Sequence, residues 1–178
     1  MIVLAGASAS GKTEVAKLLA KKYGIVKIIT TTTREKRVGE VDKRDYFFVS
    51  KEEFERKIQN GDFVEYTLYN GNLYGSTKDQ IAQNKCVVID PAGLRSYIAL
   101  KDPTIMTFYL ECDEETRRGR MIERGDPLEK VESRIKHDRV AFKPENIAKV
   151  DYVIDSSIKH SVEEVTDEIY RLYMSKSK

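Results

Sequence analysis

The sequence predicts an α/β fold with a mostly parallel sheet, and its hydrophobic pattern is the main reason. Short apolar runs alternate with segments of helical periodicity, which is typical of βα units whose strands lie parallel. The runs span residues 2–5, 25–29, 86–89, 105–110 and 152–154. The first leads through a glycine into a segment where Val15, Leu18 and Leu19 share one helical face, so the chain begins as strand, loop and helix.

Helix-start signals locate three further helices. Ser50 and Glu53 have the spacing of a capping box, and Asp113 begins a run of carboxylates suited to the first turn of a helix. Ser161 is a candidate cap for the last helix. The apolar positions of that helix recur at helical spacing and are Val162, Val165, Ile169 and Leu172 or Tyr173.

Residues 30–80 follow a different pattern, which predicts an inserted and partly antiparallel lobe. Apolar runs at 63–68 and 73–74 flank Asn70-Gly71, and Asn-Gly is a strong hairpin signal because both central residues of a type I′ turn need positive φ. Gly61 is expected to end the helix before this hairpin. Farther along, Arg-Gly-Asp-Pro at 124–127 interrupts two arginine-rich helical segments and predicts a flap.

The composition indicates one compact domain. The chain has 178 residues, of which 40% are hydrophobic and 34% charged, and its net charge of +2 is too small to argue for nucleic-acid binding. No apolar stretch approaches the ~20 residues that span a bilayer, and no signal-peptide pattern begins the chain. Cys86 and Cys112 lie in apolar runs, so we expect free thiols, no disulfide and a cytoplasmic location.

A phosphate-binding loop is the strongest motif. Residues 6–13 match G-x-x-x-x-G-K-[ST], whose glycines allow backbone N–H groups to point at one anion while the next helix adds its positive dipole end. Lys12 is expected to contact the β- and γ-phosphates, and Thr13 to bind Mg²⁺. The alternative is a glycine-rich turn with an exposed lysine. The predicted ATP-binding residues are Gly6, Ala7, Ser8, Ala9, Ser10, Gly11, Lys12 and Thr13.

The segment after this unit carries a family pattern. Residues 32–50 match T-T-R-x-x-R-x-G-E-x-x-x-x-D-Y-x-F-V-S, and the chain here resembles the guanylate kinase family. The resemblance continues through DFVEY at 62–66 and GNLYGST at 71–77. It implies in-line phosphoryl transfer from ATP to GMP, and to dGMP as a second acceptor, with Mg²⁺. The implied fold is a P-loop NTPase-type parallel sheet flanked by helices, with an inserted mixed α/β lobe for the monophosphate and a short lid.

The resemblance also implies the acceptor site. Arg34 and Arg37 can grip a monophosphate dianion with two guanidinium forks, and Glu65 can accept from the adjacent N1–H and N2–H donors of guanine. The open alternatives are a solvated basic loop for the arginines and a surface charge for Glu65. The implied GMP-binding residues are Thr30, Arg34, Arg37, Tyr46, Glu65, Tyr74 and Ser76.

On the donor side, lid arginines are implied to close over the transferring phosphoryl group. The implied catalytic residues are Lys12, Arg34, Arg120, Arg124 and Arg134, and the implied metal residues are Thr13 and Asp90. Asp90 ends an apolar strand in the manner of a Walker B acid, although an ordinary turn aspartate before Pro91 is the alternative. Val88 and Ala92 stand where the family has an acid and a glutamine, and residues 155–157 read Asp-Ser-Ser instead of Asn-Asp-Asp.

The resemblance divides a single domain, 1–178, into three parts. The core takes about 1–29 and 81–178, the monophosphate lobe about 30–80, and the lid about 117–140 within the core. The expected partners are ATP and GMP or dGMP, with no nucleic acid or membrane, in a monomer or homodimer. Two alternatives stay open: a P-loop kinase of another nucleotide or phosphorylated small molecule, and a non-catalytic module of the same fold that binds proteins.

Overall fold

Two sheets organise the computed structural model, which describes residues 1–69 and 71–176. The strands in chain order are β1 (Ile2–Ala5), β2 (Val26–Lys27), β3 (Thr31–Thr32), β4 (Phe47–Phe48), β5 (Phe63–Tyr69), β6 (Asn72–Thr77), β7 (Lys85–Ile89), β8 (Met106–Glu111) and β9 (Tyr152–Asp155). The first sheet has the order β2-β7-β1-β8-β9, and every neighbouring pair is parallel. The predicted parallel α/β sheet is therefore confirmed.

The second sheet is mixed, with the order β4-β3-β6-β5. Strands β5 and β6 form an antiparallel hairpin in which Tyr69 pairs with Asn72, β3 runs antiparallel to β6, and β3 runs parallel to β4. The hairpin is thus present where the sequence predicts it. Asn70, on which the predicted type I′ turn depends, lies outside the described residues.

Helices cover both faces of the parallel sheet. They are α1 (Lys12–Tyr23), α2 (Lys51–Gln59), α3 (Pro91–Ala99), α4 (Glu114–Glu123), α5 (Leu128–Ala141) and α6 (Val162–Lys176), with short 3-10 helices at Lys78–Gln80 and Pro144–Asn146. On β1, Ile2 and Leu4 pack with α1 and α6, whereas Val3 packs with Leu94 and Tyr97 of α3. Alternate residues of one strand therefore hold the two helical layers together.

The two predicted serine caps are present, and Asp113, expected in the first turn of its helix, is a third cap. The Ser50 hydroxyl accepts from the Glu53 N–H at 3.1 Å, and Ser161 and Glu164 form a reciprocal capping box at 3.2 and 2.8 Å. Asp113 accepts from the Thr116 N–H at 2.7 Å and so begins α4. Each cap satisfies N–H groups that a helix start leaves unpaired, which stabilises the helix by about 1 kcal/mol.

One predicted strand is much shorter than its apolar run. From the run 25–29, only Val26 and Lys27 pair with β7, and both are exposed, whereas Ile25 and Ile28 beside them are buried. The physical reason is position, because β2 lies at the sheet edge and has a neighbour on one side only. Its apolar residues reach the core from the chain on either side of the strand.

Helix length and hydropathy bear on membrane association. Within residues 1–69 and 71–176, none of the helices combines the length and apolar character that crossing a bilayer requires.

Cys86 is buried, Cys112 is partly exposed, and both are free thiols. Burial raises the pKa of the Cys86 thiol to about 11, so this side chain behaves as a small apolar group.

Candidate active site

The phosphate loop follows β1 at the carboxyl edge of the parallel sheet, between β7 and β8. Gly6 has φ +151°, and a Cβ there would lie 2.7 Å from both the Leu110 carbonyl oxygen and the Ser10 hydroxyl. Gly11 has φ +95° directly before α1, and Ala9 adopts φ +60° although it is not glycine. The tight turn therefore requires the first glycine sterically and the second conformationally.

Lys12 crosses the inside of this loop. Its Nζ donates to the Gly6 carbonyl at 2.5 Å, the Ala7 carbonyl at 2.7 Å and the Ser10 hydroxyl at 3.3 Å. Burial lowers the pKa of Lys12 to about 8, and the nearby Asp138 carboxylate partly opposes that shift. A partly buried cation whose hydrogen bonds go to neutral oxygens is suited to receive an anion.

Two cavities meet at Lys12. The larger, about 720 Å³, is bordered by Ser8 of the loop and by Thr30, Glu65 and Asp90. The smaller, about 320 Å³, is bordered by residues 9–13 of the loop together with two arginines of the helices after β8. Lys12 lines both cavities, so two ligands bound in them would meet beside its ammonium group.

Glu65 lies in the larger cavity at an irregular point of β5. The pairing register with β6 shifts between Phe63 and Glu65, and the Ser76 hydroxyl and N–H both donate to Glu65 Oε1, at 2.5 and 3.2 Å. Burial raises the pKa of Glu65, the Ser76 hydrogen bonds oppose this, and Asp90 adds to it. Ser76 is 1% exposed, and both of its hydrogen bonds to Glu65 go to Oε1. The other carboxylate oxygen of Glu65 can therefore accept from a ligand.

A cation and two phenols gather beside the same lobe. Arg34 lies 5.4 Å from the centre of the Tyr46 ring, and Tyr46 meets Tyr74 edge to face at 6.2 Å. The Arg34 Nη2 donates to both carboxylate oxygens of Glu40, at 2.7 and 2.9 Å. This pairing lowers the pKa of Glu40, a residue that sequence reasoning missed as a partner.

The structure does not bring every implied acceptor residue together. The side chain of Arg37 is exposed, and its backbone N–H donates to Glu40 at 2.8 Å. Thr30 lines the larger cavity, and its carbonyl accepts from the Phe47 N–H, which ties β4 to this wall. The loop position of Arg37 thus follows the sequence expectation, whereas its guanidinium is not gathered with Arg34.

The three lid arginines differ in their surroundings. Arg120 donates to the Ala9 carbonyl at 3.3 Å and to the Ser156 carbonyl at 2.9 Å, which fixes it against the phosphate loop. Arg124 and Arg134 instead both contact the carboxylate of Asp126, at the turn between α4 and α5. Arg120 therefore contacts the phosphate loop, whereas Arg124 and Arg134 are held together at the turn between α4 and α5.

The two implied metal residues lie apart. Thr13 borders the smaller cavity, whereas Asp90 borders the larger one and caps α3 by accepting from the Gly93 N–H at 2.8 Å. In the described ranges, three or more acidic, histidine or cysteine side chains nowhere gather around a possible metal position.

Comparison with known proteins agrees with these features. A family model described as guanylate kinase matches residues 1–171. The chain belongs to the guanylate kinase family. A guanylate kinase of Anaplasma phagocytophilum is 35% identical over 95% of this chain and 83% of the relative, and one of Symbiobacterium thermophilum is 37% identical over 86% and 76%. The crystal structure of the Anaplasma guanylate kinase matches with TM-score 0.61 and 27% identity, over 99% of this chain and 85% of that one.

Two residues outside the guanylate kinase motifs contact the phosphate loop. Arg117 on α4 and Asp138 on α5 form a buried ion pair at 2.9 Å, and Asp138 accepts from the Ser8 N–H at 2.8 Å. Sequence reasoning missed both, because neither belongs to a motif and the lid segment holds many arginines. The one available signal was an acid on a helical face otherwise lined by apolar Val131 and Ile135.

Proposed function

We propose that this chain transfers the γ-phosphoryl group of ATP to GMP, giving ADP and GDP, with dGMP as a second acceptor. The observation that carries the proposal is Lys12 at the junction of two cavities, one bordered by the phosphate loop and the other by Glu65. An ammonium group at that point can contact the phosphoryl group throughout its transfer from ATP to GMP. It can therefore stabilise the negative charge that moves from the attacking oxygen to the leaving oxygen.

Guanine selection is assigned to Glu65 and Thr30. A carboxylate with one oxygen held by Ser76 can accept from the N1–H and N2–H of guanine, whereas adenine presents no such pair of donors. Thr30 borders the same cavity, and its hydroxyl is the candidate donor to guanine O6. Ser76 acts through Glu65, which it orients.

The acceptor phosphate is assigned to Arg34, Arg37, Tyr46 and Tyr74. Arg34 reaches it by exchanging Glu40 for the phosphate, since both offer paired anionic oxygens to one guanidinium fork. The Arg37 side chain is exposed and would turn from solvent to contact the same phosphate. Two guanidinium groups and two phenols then surround a dianion, and this orients the attacking oxygen toward Lys12.

The donor phosphates are assigned to residues 6–13 and to the lid arginines. Residues 9–13 border the smaller cavity with Arg120 and Arg124. Thr13 would be a ligand of Mg²⁺, Asp90 would hold the ion or one of its waters, and Mg²⁺ would neutralise charge on the phosphate oxygens when the nucleotide is bound. Closure of the lid, about 117–140, brings Arg124 and Arg134 from Asp126 to the phosphoryl group and excludes water.

The division into a core, a lobe at about 30–80 and this lid is part of the proposal. It is supported by the mixed sheet, whose strands β3 to β6 all fall within 31–77. We propose that the chain acts as a monomer or homodimer on small-molecule nucleotides in the cytoplasm, where Cys86 and Cys112 stay reduced.

A coupled assay of ADP release tests the proposal. Purified protein with ATP and Mg²⁺ is offered GMP, dGMP, AMP, CMP and UMP separately, and Lys12→Ala and Glu65→Gln are run alongside. We expect turnover with GMP and dGMP, loss of turnover in Lys12→Ala, and a raised KM for GMP in Glu65→Gln. Equal rates with all five acceptors would overturn the guanine assignment, and no turnover with any of them would overturn the kinase assignment.

A second acceptor class is favoured by the cavity wall. Val88 and Ala92 border the larger cavity next to Asp90, and their apolar surfaces offer no hydrogen bonds to a base edge. An acceptor with an apolar group at that position would therefore be tolerated there. Turnover confined to such a phosphorylated compound, with none on GMP, would favour this candidate over the first.

A further inference from the structure

Arg117 and Asp138 form the most buried ion pair found in the part of the chain that is described. Their side chains are 8% and 4% exposed, and Arg117 Nη1 lies 2.9 Å from Asp138 Oδ2. Removing two charges from water costs several kcal/mol per ion, so a buried ion pair contributes little net stability to the fold. Its position next to the phosphate loop therefore indicates a role other than stability. The two residues lie near opposite ends of the lid segment 117–140, on α4 and α5.

Both residues grip one residue of the phosphate loop. Asp138 Oδ2 accepts from the Ser8 N–H at 2.8 Å, and Asp138 Oδ1 accepts from the Ser8 hydroxyl at 3.3 Å. Arg117 Nη1 donates to the Ser8 carbonyl at 3.4 Å, while its Nε donates to the Cys112 carbonyl at the end of β8 at 3.2 Å. The N–H, carbonyl and hydroxyl of Ser8 are therefore all fixed by this pair.

The grip comes from the side of the loop away from the donor cavity. Ser8 and Asp138 border the larger cavity, whereas residues 9–13 border the smaller one, so this contact does not occupy the donor cavity. Ala9, which has φ +60°, packs against a separate apolar cluster of Met121, Val131 and Ile135. The base of the lid and the phosphate loop thus share both a polar and an apolar contact.

The charges are balanced next to Lys12. The Asp138 carboxylate favours the charged form of Lys12, and the Arg117 guanidinium opposes it. An unpaired carboxylate here would repel the phosphates of a nucleotide, and an unpaired guanidinium would compete with Lys12 for them. Because the two charges are paired, the repulsion by Asp138 and the competition by Arg117 oppose each other. The main effect of the pair on the loop is then its set of hydrogen bonds to Ser8.

We infer that Arg117 and Asp138 are positioning residues, which hold Ser8 so that the phosphate loop is shaped for the donor nucleotide before it binds. The inference rests on the proposed function in one respect, that the loop binds ATP. Because a displacement of about 1 Å in a positioning element can cost up to about 100-fold in rate, loss of the grip has kinetic consequences.

The test uses a double variant that removes the grip and keeps the volume, Arg117→Met/Asp138→Leu. Apolar replacement of a buried ion pair often preserves stability, so this variant separates folding from positioning. Asp138→Asn is the conservative variant, because its amide oxygen can still accept from Ser8. The matched control is Arg139→Met, which removes the exposed Arg139–Glu114 ion pair between the same two helices and touches no loop residue.

Five quantities are measured: Tm, the Kd of a fluorescent ATP analogue, the KM for ATP, the KM for GMP and kcat. We expect the double variant to keep a Tm near that of the wild type, with the Kd and KM for ATP raised about 10- to 100-fold and the KM for GMP changed less than threefold. Asp138→Asn should recover part of the affinity, and Arg139→Met should match the wild type.

The possible contrary outcomes are distinct. A folded double variant with wild-type affinity for the ATP analogue would overturn the inference and leave the proposed function standing. Equal increases in the KM for ATP and for GMP would also overturn it, because a loosened lid would affect both sites. A wild-type chain that binds no ATP analogue would overturn the proposed function and, with it, this inference.

Discussion

Glu65 is oriented by Ser76 before any ligand binds, since the serine hydroxyl and N–H both donate to one of its oxygens. In Glu65→Gln the amide keeps one acceptor and gains a donor that faces the donors of guanine. A hydrogen bond to a charged group contributes about 1.5–3 kcal/mol, so we expect the KM for GMP to rise about 10- to 100-fold with the KM for ATP unchanged. Steady-state kinetics with each substrate varied in turn would measure this.

The matched control for that substitution is Glu55→Gln on α2, which removes an exposed carboxylate of the same lobe. It should leave both KM values unchanged. If Glu65→Gln behaved like this control, Glu65 would be a surface charge and the acceptor assignment would fail.

Lys12 predicts a pH dependence of ATP binding. Burial lowers its pKa to about 8 in the free protein, and bound phosphates favour the ammonium form, so the pKa rises in the complex. Binding therefore takes up a proton above pH 8, and log Kd should increase by up to about one per pH unit as pH rises beyond that value. Calorimetry in buffers of different ionisation enthalpy would measure both the Kd and the proton uptake.

Lys12→Met provides the comparison for this pH effect. It should bind ATP weakly at every pH and lack the dependence above pH 8. A wild-type Kd that stays constant from pH 7 to pH 9.5 would contradict the assignment of Lys12 to the phosphates.

At the scale of secondary structure, the β5–β6 hairpin places Glu65, and Gly75 is the residue that permits its close packing. A Cβ at Gly75 would lie 2.8 Å from two Phe63 ring atoms and 2.9 Å from the Glu65 carbonyl oxygen. Gly75→Ala must therefore push β5 away, at a cost of about 1–3 kcal/mol. We expect a lower Tm and a raised KM for GMP, with the Kd for ATP unchanged, in thermal melts and kinetics.

Gly119→Ala is the control, because Gly119 lies inside α4 and a Cβ added there would point into open space. Alanine is about 1 kcal/mol more favourable than glycine in a helix interior, so this variant should be at least as stable as the wild type. A Gly75→Ala variant with unchanged Tm and KM would show that the hairpin tolerates separation and does not set the position of Glu65.

At the scale of the whole molecule, ligands should bind the folded chain and stabilise it. An ATP analogue at 100 times its Kd contributes about 2.7 kcal/mol, and for a chain of this size each kcal/mol raises Tm by about 2–4 °C. We therefore expect a rise of about 5–10 °C with the analogue and a further rise when GMP is added. Differential scanning fluorimetry would measure it.

Limited proteolysis with the same ligands provides a second measurement, which tests lid closure. Arg124 and Arg134 are about half exposed at the tip, where both contact Asp126. Both ligands together should slow tryptic cleavage after Arg124, because the proposed closure buries that turn. Cleavage at an unchanged rate, with Tm raised, would contradict the closure and leave substrate binding intact.

The sequence by itself determined the layout of the molecule. Alternating apolar runs and helical faces predicted the parallel sheet, and serine caps were found where Ser50 and Ser161 indicated them. These signals are local, since a cap or an amphipathic face depends on residues a few positions apart. The phosphate loop and family membership were likewise readable, because their motifs are contiguous.

Only the tertiary structure decided how distant groups meet. The Ser76–Glu65 hydrogen bond and the contacts of Arg117 and Asp138 with Ser8 depend on side-chain directions that no local pattern specifies. Ser8 and Asp138 are 130 positions apart, and neither signals the other. Charged residues are common on helix surfaces, so the sequence does not distinguish Asp138 from exposed acids; burial makes the difference, and burial is a property of the whole fold.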